Sequence, residues 1–186
     1  MGTTHNHDLP AASTLSESDQ YPAINATTSR GAYATGGQLK AFVGSGTLVA
    51  GGATLAMTQA AHAGRIIALD TAAGSIVTLP ASTGSGAVYR FLVTVTATSN
   101  SHIIKVANAT DEMRGYVIQD SDTATAPNIW WAADNDDTIT LNRTTTGLAA
   151  QGEYFEIVDA TSGHFFVRGY VQQNGIEATP FSATVS

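Results

Sequence analysis

Apolar residues in this chain recur in short runs with a period near two, and turn-forming residues stand between the runs. Four runs fall at 65–70, 75–79, 89–95 and 102–106, each rich in Ile, Val, Thr or aromatics and bounded by Gly, Ser, Asn or Pro, the rhythm of strands joined by turns. In the 89–95 run Tyr89, Phe91, Val93 and Val95 share one side of a pleat and Arg90, Leu92 and Thr94 the other, because successive strand residues point to opposite faces. One face is dry and the other mixed, as in an antiparallel sheet with one side on a core. The rhythm starts at 54–57 and continues through 116–119, 138–141, 154–158, 164–170 and 181–185. Strands this short and this regularly spaced predict an all-β body, an antiparallel β-sandwich or barrel-like fold. Two segments, LDTAAGSIVTL at 69–79 and IVDATSGHFFV at 157–167, echo one another as apolar strand, Asp, small turn with Gly and second strand, and both read as hairpins.

The N-terminal part lacks this rhythm. Residues 1–18 are small, polar and aperiodic, which predicts an arm that a partner must order. A Pro-marked extended segment around 21–24 leads into a predicted short helix over 35–43, with Thr35 as N-cap and Leu39, Phe42 and Val43 as an apolar stripe at i, i+3, i+4. So short a helix is not stable alone and must dock on something. The glycine-rich GSGTLVAGG at 44–52 then separates an attachment segment, 1–50, from a β-rich body, 51–186.

With 186 residues and no cysteine, the chain is long enough to close a core without staples, and disulfides and thiolate metal sites are excluded. Only 12% of residues are charged, against about a quarter in typical soluble domains. The net charge is −7, and two lysines and six arginines are scattered singly, so no basic stripe exists to neutralise a run of phosphates and no nucleic-acid partner is expected. No apolar run approaches the roughly 20 residues that span a bilayer. The opening MGTTHNHDLP lacks the basic start and apolar middle of a signal peptide, so synthesis in the cytosol and no membrane partner are expected.

Candidate chemistry is sparse. The acids lie mostly beside Gly, Thr or Asn, where a turn carboxylate caps nearby amides, and no GxSxG elbow accompanies the serines. His5 and His7 with Asp8 form half of a metal pattern with no matching cluster, and His62, His102 and His164 read as strand-start residues. Asp134–Asp137, DNDD, could gather oxygen ligands for calcium but lacks the spaced D-x-D-x-D-G loop. Within the long connection 120–137, Trp130 and Trp131 are adjacent on a strand-like segment and so face opposite ways. One is expected to fill the core; the other is either covered by the loop before it or left for a protein or sugar partner. These residues imply no catalytic group, no metal and no cofactor.

Laid end to end, LDTAAGSIVTLPASTGSGAVYRFLVTVTATSNSHIIKVANATDEMRG, DDTITLNRTTTG, EYFEIVDATSGHFFVRGY and EATPFSATVS resemble the virion structural proteins of tailed bacteriophages, across most of residues 64–186. LPAASTL, DQYPAI and RGAYATGGQLKAFV likewise resemble the attachment segments that open phage fibre and decoration proteins. The resemblance implies a non-enzymatic homotrimer that binds the phage major capsid protein as a decoration or cement protein on the outside of the head, localised in the virion. In that account Leu15, Tyr21, Ile24, Leu39 and Phe42 make the capsid attachment, and Trp130 and Trp131 make a partner contact. The rival expectation is a head or tail fibre whose tip, with Trp130, Trp131 and the DNDD loop, meets a host glycan. A small hydrolase on a β-scaffold is a third.

Overall fold

The computed structural model describes residues 20–25, 30–35, 48–120, 122 and 127–185. The chain divides into two compact units, Met1–Ser45 and Gly46–Ser186. In the first, β1 (Gln20–Asn25) pairs antiparallel with β2 (Arg30–Thr35), with Pro22 opposite Tyr33. A two-stranded ribbon tolerates Pro22 because each strand has an edge where a missing N–H costs no ladder bond. Thr35, the predicted N-cap, closes β2; the rest of the predicted helix, 36–43, and the aperiodic arm, 1–18, lie outside the described residues.

The second unit is an all-β sandwich of two sheets. Its strands are β3 (Val49–Ala50), β4 (Thr54–Ala56), β5 (Ile66–Leu69), β6 (Ser75–Thr78), β7 (Val88–Val93), β8 (His102–Lys105), β9 (Glu112–Asp120), β10 (Asn128–Trp131), β11 (Thr138–Leu141), β12 (Tyr154–Thr161), β13 (His164–Gln172) and β14 (Phe181–Ser182). A seven-stranded sheet runs β10-β9-β13-β12-β7-β5-β3 and a five-stranded one β14-β11-β8-β6-β4. Val49 and Ala50, placed in the glycine-rich join by the sequence pattern, are the edge strand of the larger sheet.

The sheets are mixed, which corrects the antiparallel expectation. From β3 to β8 the chain alternates between the two sheets, so each strand lies beside the one two steps earlier and runs the same way. With β9 beside β13, five of the ten described strand pairings in this unit are parallel. LDTAAGSIVTL is therefore no hairpin: β5 and β6 lie in opposite sheets and the turn between them passes from one to the other. Backbone fit explains the choice. Gly74 has φ +89 and sits so near the Ser101 carbonyl that a Cβ would lie 2.5 Å from it, while Asp70 accepts the Gly52 N–H at 2.8 Å and ties this turn to the preceding one. IVDATSGHFFV is a true hairpin, β12 to β13, with a register shift between Asp159 and Thr161.

The core lies between the sheets. Tyr89, Phe91 and Val93 point inward from β7 beside Phe155, Ile157, Phe165 and Val167, and meet Val77, Ile104, Ile139 and Leu141 of the smaller sheet. Each such side chain contributes about 1.5–3 kcal/mol on burial. Val95, counted on the dry face by periodicity, lies beyond the end of β7 and is exposed. Gly169 leaves room for the Phe155 ring, which a Cβ would approach within 2.5 Å. A four-residue helix that the strand rhythm concealed, α1 (Gln59–His62), is capped by Thr58; His62 sits there, not at a strand start, and takes the Thr58 N–H on Nδ1 at 3.0 Å.

Candidate functional site

Carboxylates buried in the body are turned to internal fixing. Asp159 accepts the N–H groups of Thr83, Gly84 and Ser85 and the hydroxyls of Ser82, Thr83 and Ser85, at 2.6–3.2 Å, and so pins the 82–86 loop to the bulge at the end of β12. Burial opposes its charge, but these bonds, led by the Ser85 hydroxyl and the Gly84 amide, hold its carboxyl far below the usual range. Asp137 holds the C-terminal tail through the N–H groups of Thr184 and Val185. Glu153 accepts from Leu148, Ala150 and Gln172, yet burial pushes its pKa up to about 7.

The acidic segment at 134–137 does not converge. Asp134 pairs with Arg114, Asp136 takes the Ala133 N–H at 2.7 Å, and Asp137 is buried under the tail. Among the described residues no three His, Asp or Glu side chains group so as to hold a metal ion. His102 and Ser75, neighbours across the β6–β8 pair, are buried without hydrogen-bond partners. Burial pushes the His102 pKa down; the Val95 carbonyl and Asp70 carboxylate pull the other way, the former without the geometry of a full hydrogen bond.

The feature left over is the outer face of the seven-stranded sheet. Strand parity sets Ile129 and Trp131 of β10, Tyr116 and Ile118 of β9, Phe166, Arg168 and Tyr170 of β13, Tyr154, Glu156 and Val158 of β12, and Arg90 of β7 on that one side. Arg90, Glu156 and Arg168 are aligned partners across three strands. Glu156 receives Arg90 Nε at 3.0 Å on one oxygen and Arg168 on the other. Burial opposes its charge, but the two guanidiniums hold its carboxyl below the usual range. Beside this row Arg114 bridges Glu112 and Asp134.

Trp130 turns inward, packs against the core and donates its indole N–H to the side-chain amide oxygen of buried Gln119. Trp131 turns outward, 68% exposed, its ring tilted 51° to Tyr116 with centroids 5.2 Å apart. Together with Gly115, Glu156, Val158, Phe166 and Arg168 they border a groove of about 540 Å³. A hollow of similar size at the edge of the smaller sheet, beside Gly74, Ser75, Asn100 and Ser101, has neither aromatic nor charged walls.

Of the attachment residues expected from the resemblance, Leu15, Leu39 and Phe42 lie outside the described residues. Tyr21 and Ile24 fall on β1, opposite Ala34 and Gly31. Sequence reasoning singled out Trp131 but missed Tyr116, Glu156, Phe166, Arg168 and Tyr170; for the last three the signal was the run of large side chains at alternate positions of β13. Comparison with known protein families, curated proteins and solved structures finds no match for this chain.

Proposed function

We infer that this chain is a non-enzymatic structural protein of a tailed-phage particle, a decoration protein on the outside of the head shell. The N-terminal unit attaches it to the major capsid protein and the β-body is displayed. Beyond the resemblance in sequence, the observation that carries the reading is how the body uses its polar groups. Asp111, Asp137, Glu153, Glu156 and Asp159 bond to this chain's own amides, hydroxyls and guanidiniums, while large apolar side chains collect outside on one sheet face. That arrangement suits contact more than turnover, since a reacting centre needs acid or base groups free to meet a substrate.

The test removes residues 1–43 and measures co-sedimentation with phage heads that lack this protein. The shortened chain is expected to keep its β-sheet circular dichroism and lose head binding; undiminished binding refutes attachment through the N-terminal unit. The fibre reading has one observation in its favour, the exposed Trp131 ring beside the groove, because a sugar stacks its apolar face on such a ring. Glycan-array binding by the full chain, lost in Trp131→Ala, would favour it.

A further inference from the structure

We propose that the outer face of the seven-stranded sheet is where copies of this chain meet one another. The inference rests on the structural-protein reading and gives it a surface. Four of the eight large hydrophobic side chains exposed among the described residues, Ile129, Trp131, Phe166 and Tyr170, lie on this face. Half-buried Tyr116, Ile118, Tyr154 and Val158 fill the space between them. Aromatic residues and Arg without Lys is the composition of contact surfaces, where rigid rings and planar guanidiniums give up water at low entropic cost. The outer side of the smaller sheet instead offers Thr54, Ile76, Ile103 and Thr140 in register.

Size and charge both point to a second copy. Strands spaced about 4.8 Å apart at about 3.3 Å per residue, over the four residues of β10, nine each of β9 and β13, eight of β12 and six of β7, give a sheet face of about 570 Å² before side-chain relief is added. A standard interface takes about 800 Å² from each partner. The chain carries −7 overall, so like copies repel over most of their surface. On this face three guanidiniums, Arg90, Arg114 and Arg168, offset three carboxylates, Glu112, Glu156 and Asp134, each paired within the same copy. Asp120 adds one charge at the margin, where it takes the Tyr170 hydroxyl. Apart from Asp120 at the margin, two such faces brought together cover apolar area with their charges already paired, without stranding an ion.

The experiment is sedimentation velocity and light scattering on the full chain, with Trp131→Glu, Phe166→Glu and, on the smaller sheet, Ile76→Glu as control. All three side chains are exposed, so circular dichroism and melting temperature should stay near wild type. The wild type and the control are expected to run at a whole multiple of 19.2 kDa, and Trp131→Glu and Phe166→Glu at 19.2 kDa itself, with acrylamide quenching of Trp131 rising several-fold in Phe166→Glu as its cover is lost. A wild type that runs at 19.2 kDa at every concentration overturns the proposal, and so does an oligomer that survives both face substitutions or dissociates in the control. A monomeric wild type that binds a saccharide through Trp131 overturns it in favour of a glycan site. Head co-sedimentation on the same samples keeps the two readings apart. An oligomer that fails to bind heads refutes attachment alone, and a monomer that binds them refutes self-association alone.

Discussion

Replacing Asp159 by Ala should cost more than any substitution at the surface, and the structure says why. Both carboxylate oxygens are lost, and with them the acceptor for three amides and three hydroxyls of residues 82–85. Ser82 keeps a second acceptor in the Thr161 carbonyl at 2.9 Å, and some of the remaining donors reach water as the loop loosens. If two or three donors stay buried at about 1–3 kcal/mol each, the loss is roughly 3–5 kcal/mol, a large share of a typical total of about 5–15. At about 2–4 °C per kcal/mol for a chain of this size, the melting temperature should fall by roughly 6–20 °C. Asp159→Asn keeps one carbonyl oxygen and should lose less, about 1–3 kcal/mol. The pH dependence carries the sign. Because the native carboxyl titrates below its ordinary 3.8, its contribution is present above that value and drains away as pH falls through it toward the native value. Urea unfolding of wild type and both variants at neutral pH, and again in steps below about pH 4, tests this. A deficit under about 0.5 kcal/mol, or one that does not narrow on acidification, would refute this role for Asp159 in pinning the 82–86 loop.

Glu153 gives the opposite slope: its pKa stands at about 7 against an ordinary 4.5, so stability is greatest below 4.5 and is lost as pH rises through 7. Carboxyl-carbon NMR should show a single Glu titrating near 7, and one titrating in the ordinary range contradicts the assignment. His102 is held neutral by burial with both ring nitrogens unpartnered, so stability falls as pH drops below its ordinary 6.5; His102→Leu should remove that slope and gain about 1 kcal/mol in urea unfolding at pH near 5. Gly115→Ala puts a methyl 2.0 Å from the Val167 carbonyl at φ +115, and should cost at least about 3 kcal/mol or abolish soluble expression; near-wild-type melting would show that β9 and β13 do not approach so closely.

Strand positions were legible because each strand buries one face, and a period of two needs no knowledge of neighbours. Partners were not, and LDTAAGSIVTL shows the reason. A strand, an Asp, a small turn and a second strand look the same whether the turn reverses within a sheet or passes across the core, since the inward residues are apolar in both cases. What separates Asp70 from Asp159 is the partner each finds, Gly52 in one case and the 83–85 amides in the other, and neither is near in sequence. β10 was folded into a long connection for a related reason: its four residues are stabilised by pairing with β9, with no apolar run of their own beyond Ile129, Trp130 and Trp131. The opposite facing of the two tryptophans needed only parity. The Arg90–Glu156–Arg168 row needed register across strands 66 and 12 positions apart, which no local pattern encodes.

The disposition of charge ties the fold to the proposed role. Glu156 could have served as an isolated acid on an exposed face, but alignment of β7, β12 and β13 places a guanidinium on either side of it. The result is a row that is fixed in place and locally close to neutral, on a chain otherwise strongly acidic. An enzyme would gain from leaving such a carboxylate unpaired and its pKa raised; here the guanidiniums lower it. Glu153, the carboxyl whose pKa is raised, lies under the 148–150 turn with both oxygens bonded to backbone amides and out of reach of a substrate. Glu153, with its raised pKa, is thus closed off inside the body, while Glu156 on the open face is held charged between two guanidiniums. For that reason a neutralised aromatic face is expected to act by contact, and charge reversal at Phe166 or Trp131 should disturb assembly before it disturbs folding.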